Sequence, residues 1–264
     1  MAKKLNLKQE IEKLRDDEYY YGEGGKQFLS NSDIKTLYQE PAQFRLPVLE
    51  NENLARGRLF HQLLLEPKKA KSFPTFDGSV RNASYRQFLQ ENDLGFALKT
   101  SEADEVRAMA EWFMDESNSK TASLREYLFR FGAKYEEPMI KELHGHLFKG
   151  KADCISDNII IDIKTSRDIY SFQNNASYYF YDSQAYIYQE LFGMPLVFFV
   201  IGKTRKSYGT IDEDYYDVAV FNCSPEFIEK GKNKVEHALT HYKEYFGDSN
   251  TKSIKDLVLK GILT

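Results

Sequence analysis

Asp153, Asp162 and Lys164 have the types and spacing to hold a hard cation and act on a phosphodiester. They lie in Gly150-Lys151-Ala152-Asp153-Cys154-Ile155-Ser156-Asp157-Asn158-Ile159-Ile160-Ile161-Asp162-Ile163-Lys164-Thr165. β-Branched residues flank Asp157-Asn158, a pair suited to a two-residue hairpin turn. With that turn Ser156 pairs with Ile159, and Asp153 falls opposite Asp162 with Cβ atoms roughly 5 Å apart. Like charges so placed destabilise a bare sheet. A divalent cation between them removes the conflict, because hard cations take carboxylate oxygens. Lys164 is two residues past Asp162 and shares its face. A metal between two aspartates, with a lysine beside it, suits phosphodiester hydrolysis.

The same register assigns the rest of the hairpin. Asn158, Ile160, Asp162 and Lys164 share one face. Ile159, Ile161 and Ile163 take the other, which must pack under helices together with Ala152 and Cys154. On an ordinary hairpin the polar residues would simply face water. The opposed aspartates and their spacing to the lysine favour a site. Arg45 and Arg58 are candidates to grip a terminal DNA phosphate through their forked donors, with solvated arginines as the plain alternative. The basic run Lys203-Thr204-Arg205-Lys206-Ser207 reads as a solvated turn sooner than a DNA contact. His144 and His146 flank Gly145 in a hairpin turn and are not read as a metal pair.

Elements around the hairpin must position it. Residues 1–20 read as a flexible lead-in, followed by the connector Tyr19-Tyr20-Tyr21-Gly22-Glu23-Gly24-Gly25. A helix capped by Ser30 or Ser32 stops at Pro41, and another runs from Leu54 to Glu66 ahead of Pro67. Residues 68–100 look irregular, with one short helix near 85–90. A helix starts at the Ser101 cap, and another at the capping box Ser123-Leu124-Arg125-Glu126. Strands follow near 134–142, 146–155 and 158–165, then a helix near 177–192. The apolar run Leu196–Ile201 reads as a buried strand, with a further strand near 215–221. Ser224-Pro225 opens a helix that closes at Gly247. The tail from Ile254 to Leu263 reads as a last amphipathic helix. With no internal repeat, residues 21–264 form one elaborated domain of α/β (α+β) class.

Composition narrows the function. A 42% hydrophobic content can bury a core, which argues against disorder. A net charge of −4 argues against indiscriminate coating of nucleic acid, so any DNA contact is local or metal-bridged. Two cysteines, Cys154 and Cys223, are too few for a disulfide framework, and a reduced, cytoplasmic setting fits. No stretch approaches the ~18 apolar residues of a membrane span.

Asp153 followed by Asp162-Ile163-Lys164 resembles the signature of the PD-(D/E)XK nuclease superfamily. Four further pieces resemble its exodeoxyribonuclease VIII (RecE-like) branch, related to phage lambda-type exonucleases. They are Leu29–Lys35, the Gly57-Arg58-Leu59-Phe60-His61 helix running on to Pro67, Glu136-Glu137-Pro138, and Gln184 with Tyr188. The resemblance implies a restriction-endonuclease-like core, a mixed central sheet flanked by helices, with extra helices at both ends. It implies that Asp153, Asp162, His61 and the Ile163 carbonyl bind Mg²⁺, with Mn²⁺ able to substitute. Glu136 would complete the acidic cluster, with Glu137 as competitor. Lys164 would orient or activate the attacking water, and Gln184 and Tyr188 would serve the site. The implied activity is 5′→3′ resection of linear duplex DNA, leaving 3′ single strands for an annealing or recombinase partner. A ring-shaped homo-oligomer is implied too. Endonuclease or single-strand trimming on the same fold, or a DNA-end-binding module without catalysis, are the alternatives. No iron–sulfur cysteine set and no nucleotide-binding loop is present, so neither cofactor is expected.

Overall fold

The computed structural model describes residues 6–208, 211–247, 250 and 252–257. Asn6 and Asp16 cap two short helices, α1 (Leu7–Lys13) and α2 (Asp17–Tyr21). A capping box between Ser30 and Asp33 opens α3 (Asn31–Gln39), and Pro41 follows its end. Asn51 caps α4 (Glu52–Leu65), and Pro67 opens α5 (Pro67–Ala70). Two-residue strands β1 (Thr75–Phe76) and β2 (Leu98–Lys99) pair in parallel on either side of α6 (Ala83–Glu91). Helices α7 (Thr100–Met114) and α8 (Ser119–Leu128) follow.

Three antiparallel strands then carry the hairpin: β3 (Lys134–Leu143), β4 (His146–Ser156) and β5 (Ile159–Ser166). The crossover through α9 (Phe172–Asn175) and α10 (Tyr181–Phe192) brings β6 (Leu196–Gly202) parallel to β5. A small hairpin, β7 (Lys206–Tyr208) and β8 (Ile211–Tyr215), precedes β9 (Val218–Asn222), which returns antiparallel to β6. The long α11 (Pro225–Tyr245) starts at the Ser224 cap with proline in its first turn. The main sheet has the order β3-β4-β5-β6-β9.

Both faces of this sheet are buried. Ile160 packs in one core with Ile34 and Leu37 of α3, Ile187 and Leu191 of α10, and Val235 and Leu239 of α11. Its neighbours Ile161 and Ile163 pack in the other, with Leu59 and Phe60 of α4, Phe113 of α7 and Leu128 of α8. A strand covered on both sides reads as a continuous apolar run, which is why Leu196–Ile201 shows no alternation. Helix α11 lies so close on α10 that a Cβ on Gly231 would stand 2.1 Å from the Asp182 carbonyl oxygen. Beside that contact, Lys234 Nζ meets the fully buried Asp182 carboxylate at 2.8 Å. Among the described residues no helix is long and apolar enough to cross a membrane.

The structure corrects several expectations. Leu7–Lys13 and Asp17–Tyr21 are helices, not a flexible lead-in. Leu14 and Tyr20 are buried with Phe28 and Ile140 in a third small core. The capping box read at Ser123 is helix interior, because Asn118 caps α8 earlier. The helix read as 177–192 starts only at Tyr181, because residues 177–180 are turn ending at Phe180, whose φ of 66° is left-handed. Residues 68–100 carry α5, α6 and the β1–β2 pair. The strand near 215–221 resolves into the end of β8 and the start of β9. Ala152 and Cys154 do not share a packed face: Ala152 belongs to the α10 core and Cys154 to the α4 core. Strand alternation therefore breaks at Asp153 between them. The face read for Ile160 together with Asp162 and Lys164 is covered as well, by α10 and α11. In the tail, Ile254–Asp256 form one 3₁₀ turn that ends at extended Leu257, and residues 258–263 of that expected helix lie outside the described residues.

Candidate metal centre

Asp157 and Asn158 both take left-handed φ, 52° and 61°, as a two-residue type I′ turn requires. Ser156 pairs with Ile159, Ile155 with Ile160, and Cys154 with Ile161. The next step of that register sets Asp153 opposite Asp162, as the turn predicts. The ladder stops one step short of it. The Asp153 carboxylate instead accepts the Ile163 N–H, at 2.8 Å. On the other side, the pairs Tyr135 to Cys154 and Glu137 to Ala152 place Glu136 opposite Asp153. Glu136 has a φ of 49° in mid-strand, so the chain kinks there. Glu136, Asp153 and Asp162 thus form one row across three adjacent strands, where pairing loosens and side chains can converge.

Helix α4 brings His61 onto this row. His61 Nε2 stands 3.3 Å from Asp153 Oδ2 and 3.4 Å from Glu136 Oε1. Ligand atoms of His61, Glu136 and Asp153 all lie within 4.8 Å of one another. Asp162, only 2% exposed, is held from the side. Gln184 Nε2 of α10 donates to its Oδ2 at 2.5 Å, and Lys164 Nζ lies 2.5 Å from its Oδ1. His61 Nε2 and Glu136 Oε1 are buried without a hydrogen-bond partner, and Asp162 Oδ1 has the Lys164 ammonium against it. Buried polar atoms are ordinarily satisfied, and orphans clustered in one place indicate a missing ion. One imidazole nitrogen and three carboxylates make a donor set that fits a divalent cation.

The electrostatics describe the same strain. Burial alone would lower the His61 pKa, but the charges of Asp153, Glu136 and Asp162 raise it to about 9. Burial pushes Glu136 up to about 7, against the pull of His61 and with the repulsion of Asp153. It pushes Asp162 to about 6 although Lys164 opposes it. Burial also opposes charge on Asp153, yet His61, Lys164 and the Ile163 N–H hold that carboxyl below its usual range. Lys164 loses solvation on burial, but the Asp162 charge outweighs this and raises its pKa, so it keeps its proton.

The remaining sequence candidates fall in different places. Glu137 is turned outward and takes both nitrogens of Arg15, at 2.9 and 3.1 Å, so Glu136 is the cluster glutamate. Tyr188 does not touch the cluster. Its hydroxyl donates to the Lys151 carbonyl at 3.1 Å and accepts the Lys151 N–H at 3.4 Å, which pins β4 two residues before Asp153. The Ile163 peptide meets Asp153 through its N–H. Arg58 lies 2.6 Å from Glu50 and against the Phe73 ring. Arg45 lies 3.7 Å from Asp33 and against Phe44. In the basic run, Lys203 donates to Asn53 and Lys206 pairs with Asp217. A cavity of about 350 Å³ beside Thr165, lined by Arg56, Glu105 and Lys203 among others, lies on the α4–α7 side of β5.

Two neighbours of the cluster escaped the sequence reading. Lys151, 8% exposed, reaches Asp17 at 2.7 Å, and Tyr20 covers Lys149 and Lys151 with its ring. The alternation Lys149, Lys151, Asp153 was the available signal. Tyr181 lies with its ring centre 5.0 Å from Lys164 Nζ, and its position one helical turn before Gln184 marked it.

Residues 29–251 match the family model described as a PDDEXK-like domain of unknown function (DUF3799). No curated protein matches the chain. The solved structure of a candidate exonuclease from Eubacterium rectale is 17% identical with a TM-score of 0.54, covering 94% of this chain and 95% of its own. It shares the restriction-endonuclease-like fold. A phage-related exonuclease from Haemophilus somnus 129PT is 16% identical with a TM-score of 0.33, covering 81% of this chain and 93% of its own. That second likeness carries no argument. The family match spans the row of acidic residues, His61 and α10 together, and the chain belongs to this PDDEXK-like family, within the PD-(D/E)XK nuclease superfamily.

Proposed function

We propose that this protein is a Mg²⁺-dependent deoxyribonuclease that resects linear duplex DNA 5′→3′ and leaves 3′ single strands. The observation that carries the nuclease reading is the row of half-buried Glu136 and Asp153 and buried Asp162 under His61, with two orphaned ligand atoms, His61 Nε2 and Glu136 Oε1, and Lys164 against Asp162. Polarity and duplex preference rest on the resemblance of Leu29–Lys35, Gly57–Pro67, Glu136–Pro138 and Gln184/Tyr188 to exodeoxyribonuclease VIII. The exonuclease description of the Eubacterium rectale protein supports cutting from an end. A single-strand annealing protein or recombinase is the partner that 3′ tails call for, and a ring of subunits around DNA would give processivity.

His61, Glu136, Asp153 and Asp162 would hold the cation. It would supply charge stabilisation of the phosphoryl oxygens. Imidazole is a borderline donor, so Mn²⁺ substitutes for Mg²⁺. Lys164, protonated, donates to the attacking water or a phosphate oxygen and offsets charge that grows in the transition state. Gln184 occupies Asp162 Oδ2, and the cation would share Oδ1 with the Lys164 ammonium. Tyr188 fixes the β4 backbone from which Asp153 projects.

The test uses linear duplex labelled separately at each 5′ end, with and without a 5′ phosphate, in Mg²⁺ or in chelator, beside closed circles. Mg²⁺-dependent release from the 5′ ends of linear DNA supports the reading. Cutting of closed circles would assign an endonuclease, and metal-independent or absent cleavage would remove the proposal.

A further inference from the structure

The connection from β5 to α10 contains a line of aromatic rings that starts at the candidate centre. Lys164 Nζ lies 5.0 Å from the Tyr181 ring centre. The Tyr181 and Tyr179 centres are 5.8 Å apart at 36°, and those of Tyr179 and Tyr178 are 5.4 Å apart at 76°. Exposure rises outward: Tyr181 is half-buried, Tyr179 is 48% exposed and Tyr178 is 70% exposed. Large rings left in water beside a catalytic cleft offer π-faces to a ligand.

The backbone is arranged to present them. Phe180 stands between Tyr179 and Tyr181 with φ 66° and ψ 31°, a left-handed conformation that bulky residues rarely adopt. Its ring is 2% exposed and lies under Lys234, 4.4 Å from Nζ. Its carbonyl accepts from Asn31 Nδ2 at 3.2 Å and Ser183 Oγ at 3.0 Å. Phe180 therefore goes into the protein while Tyr179 stays outside, and half-buried Tyr181 stacks on Phe172 with ring centres 5.3 Å apart. Strain of this kind persists where the surroundings over-determine it, and it clusters at functional sites. On the same connection Tyr170 is 74% exposed, with Lys206 Nζ, itself paired with Asp217, 5.4 Å from its ring.

We propose that Tyr178 and Tyr179, joined to the candidate centre through Tyr181, form a stacking platform for unpaired nucleotide bases next to the bond being cut. Bases stack on aromatic side chains regardless of sequence, and a neighbouring cation suits the phosphate between them. The substrate in the cleft is then a frayed or single-stranded end, not an intact duplex end. The inference rests on the nuclease reading and narrows its substrate.

The experiment measures binding in chelator, so that no cleavage intervenes, with a blunt duplex and the same duplex carrying a short single-stranded overhang with a fluorescent adenine analogue. The Tyr178→Ala/Tyr179→Ala protein should bind the overhang DNA roughly tenfold or more weakly and lose the analogue's stacking signal. Tyr178→Phe/Tyr179→Phe should retain both, because the rings remain. Blunt-duplex affinity should change less than overhang affinity. Equal overhang binding by the alanine and wild-type proteins overturns the platform, as does an equal loss in the phenylalanine protein. If the double alanine protein fails to fold, Tyr178→Ala alone carries the test. Wild-type protein that neither binds nor cuts DNA in Mg²⁺ contradicts the nuclease reading itself. Wild-type cutting with unaffected alanine variants contradicts the platform only.

Discussion

Alanine at Gly231 and at Gly57 should have opposite effects, although both glycines sit inside helices. In an open helix, Gly→Ala stabilises by about 1 kcal/mol. At Gly57 of α4 the nearest atom to a new Cβ is Thr165 Oγ1 at 3.8 Å, an ordinary contact, so that gain is available. At Gly231 of α11 the Cβ would stand 2.1 Å from Asp182 O, 2.4 Å from its carbon and 2.8 Å from Ser183 N. Comfortable separations are about 3.5 Å, so α11 must retreat from α10 by more than ~1 Å. Overpacking of this kind costs about 3 kcal/mol, and the helix gain offsets about 1, leaving a loss of about 2 kcal/mol. At ~2–4 °C per kcal/mol for a chain of this size, Gly231→Ala should melt ~4–8 °C lower and Gly57→Ala ~2–4 °C higher. The displacement also reaches the site, because α10 carries the Gln184 that holds Asp162. Thermal melts of the two variants and wild type, followed by nuclease assays below all three midpoints, test this. A Gly231→Ala protein that melts at or above wild type would refute the packing argument.

Four further outcomes follow from the geometry. Glu136→Gln should abolish metal-dependent activity. Glu137→Gln, which loses only a half-exposed pair with Arg15, should cost under ~1 kcal/mol and leave cleavage near wild type in a side-by-side assay. Tyr188→Phe removes both hydrogen bonds to Lys151 and should cost about 1–2 kcal/mol in denaturant unfolding. Burial, with Arg45 and Lys151 adding, lowers Lys149 to about 8 although Asp33 opposes it. The unfolded chain then binds the extra proton between that value and the ordinary lysine value near 10.5, so stability contributed by Lys149 rises with pH across this window. Subtracting the pH profile of Lys149→Met from that of wild type should isolate the rise, and a flat difference would contradict it. Saturating a divalent-ion site at ~100 times its dissociation constant should stabilise the fold by about 2.7 kcal/mol, and His61→Ala should reduce that shift in a melting assay.

The hairpin was legible because its signals are local. Asp157-Asn158 tolerates left-handed φ, β-branched neighbours demand strand, and a period of two then places Asp153, Asp162 and Lys164. The Glu-x-Pro pattern favours Glu136 over Glu137 without giving a physical reason for the choice. The choice is made by a mid-strand kink at Glu136, and by Arg15 arriving from the turn after α1 to take the other glutamate. The shared face read for Ala152 and Cys154 failed because β4 breaks its alternation at Asp153, which no side-chain period announces. The first helices looked like a lead-in because charge dominates them. Their burial depends on single residues, Leu14 and Tyr20, that meet Phe28 and Ile140 from distant parts of the chain. The break before α10 was hidden because Phe180 has no propensity for left-handed φ, and tertiary contacts impose it.

The central claim is that the Asp162 and Lys164 side chains cut DNA with a cation held in the buried row. Its most direct test is digestion of end-labelled linear duplex in Mg²⁺ by wild type, Asp162→Ala and Lys164→Ala proteins, each checked for folding by its melt. The account predicts digestion by wild type that chelator stops, and a loss of at least ~10²-fold in each variant. Digestion at the wild-type rate by either folded variant would contradict it.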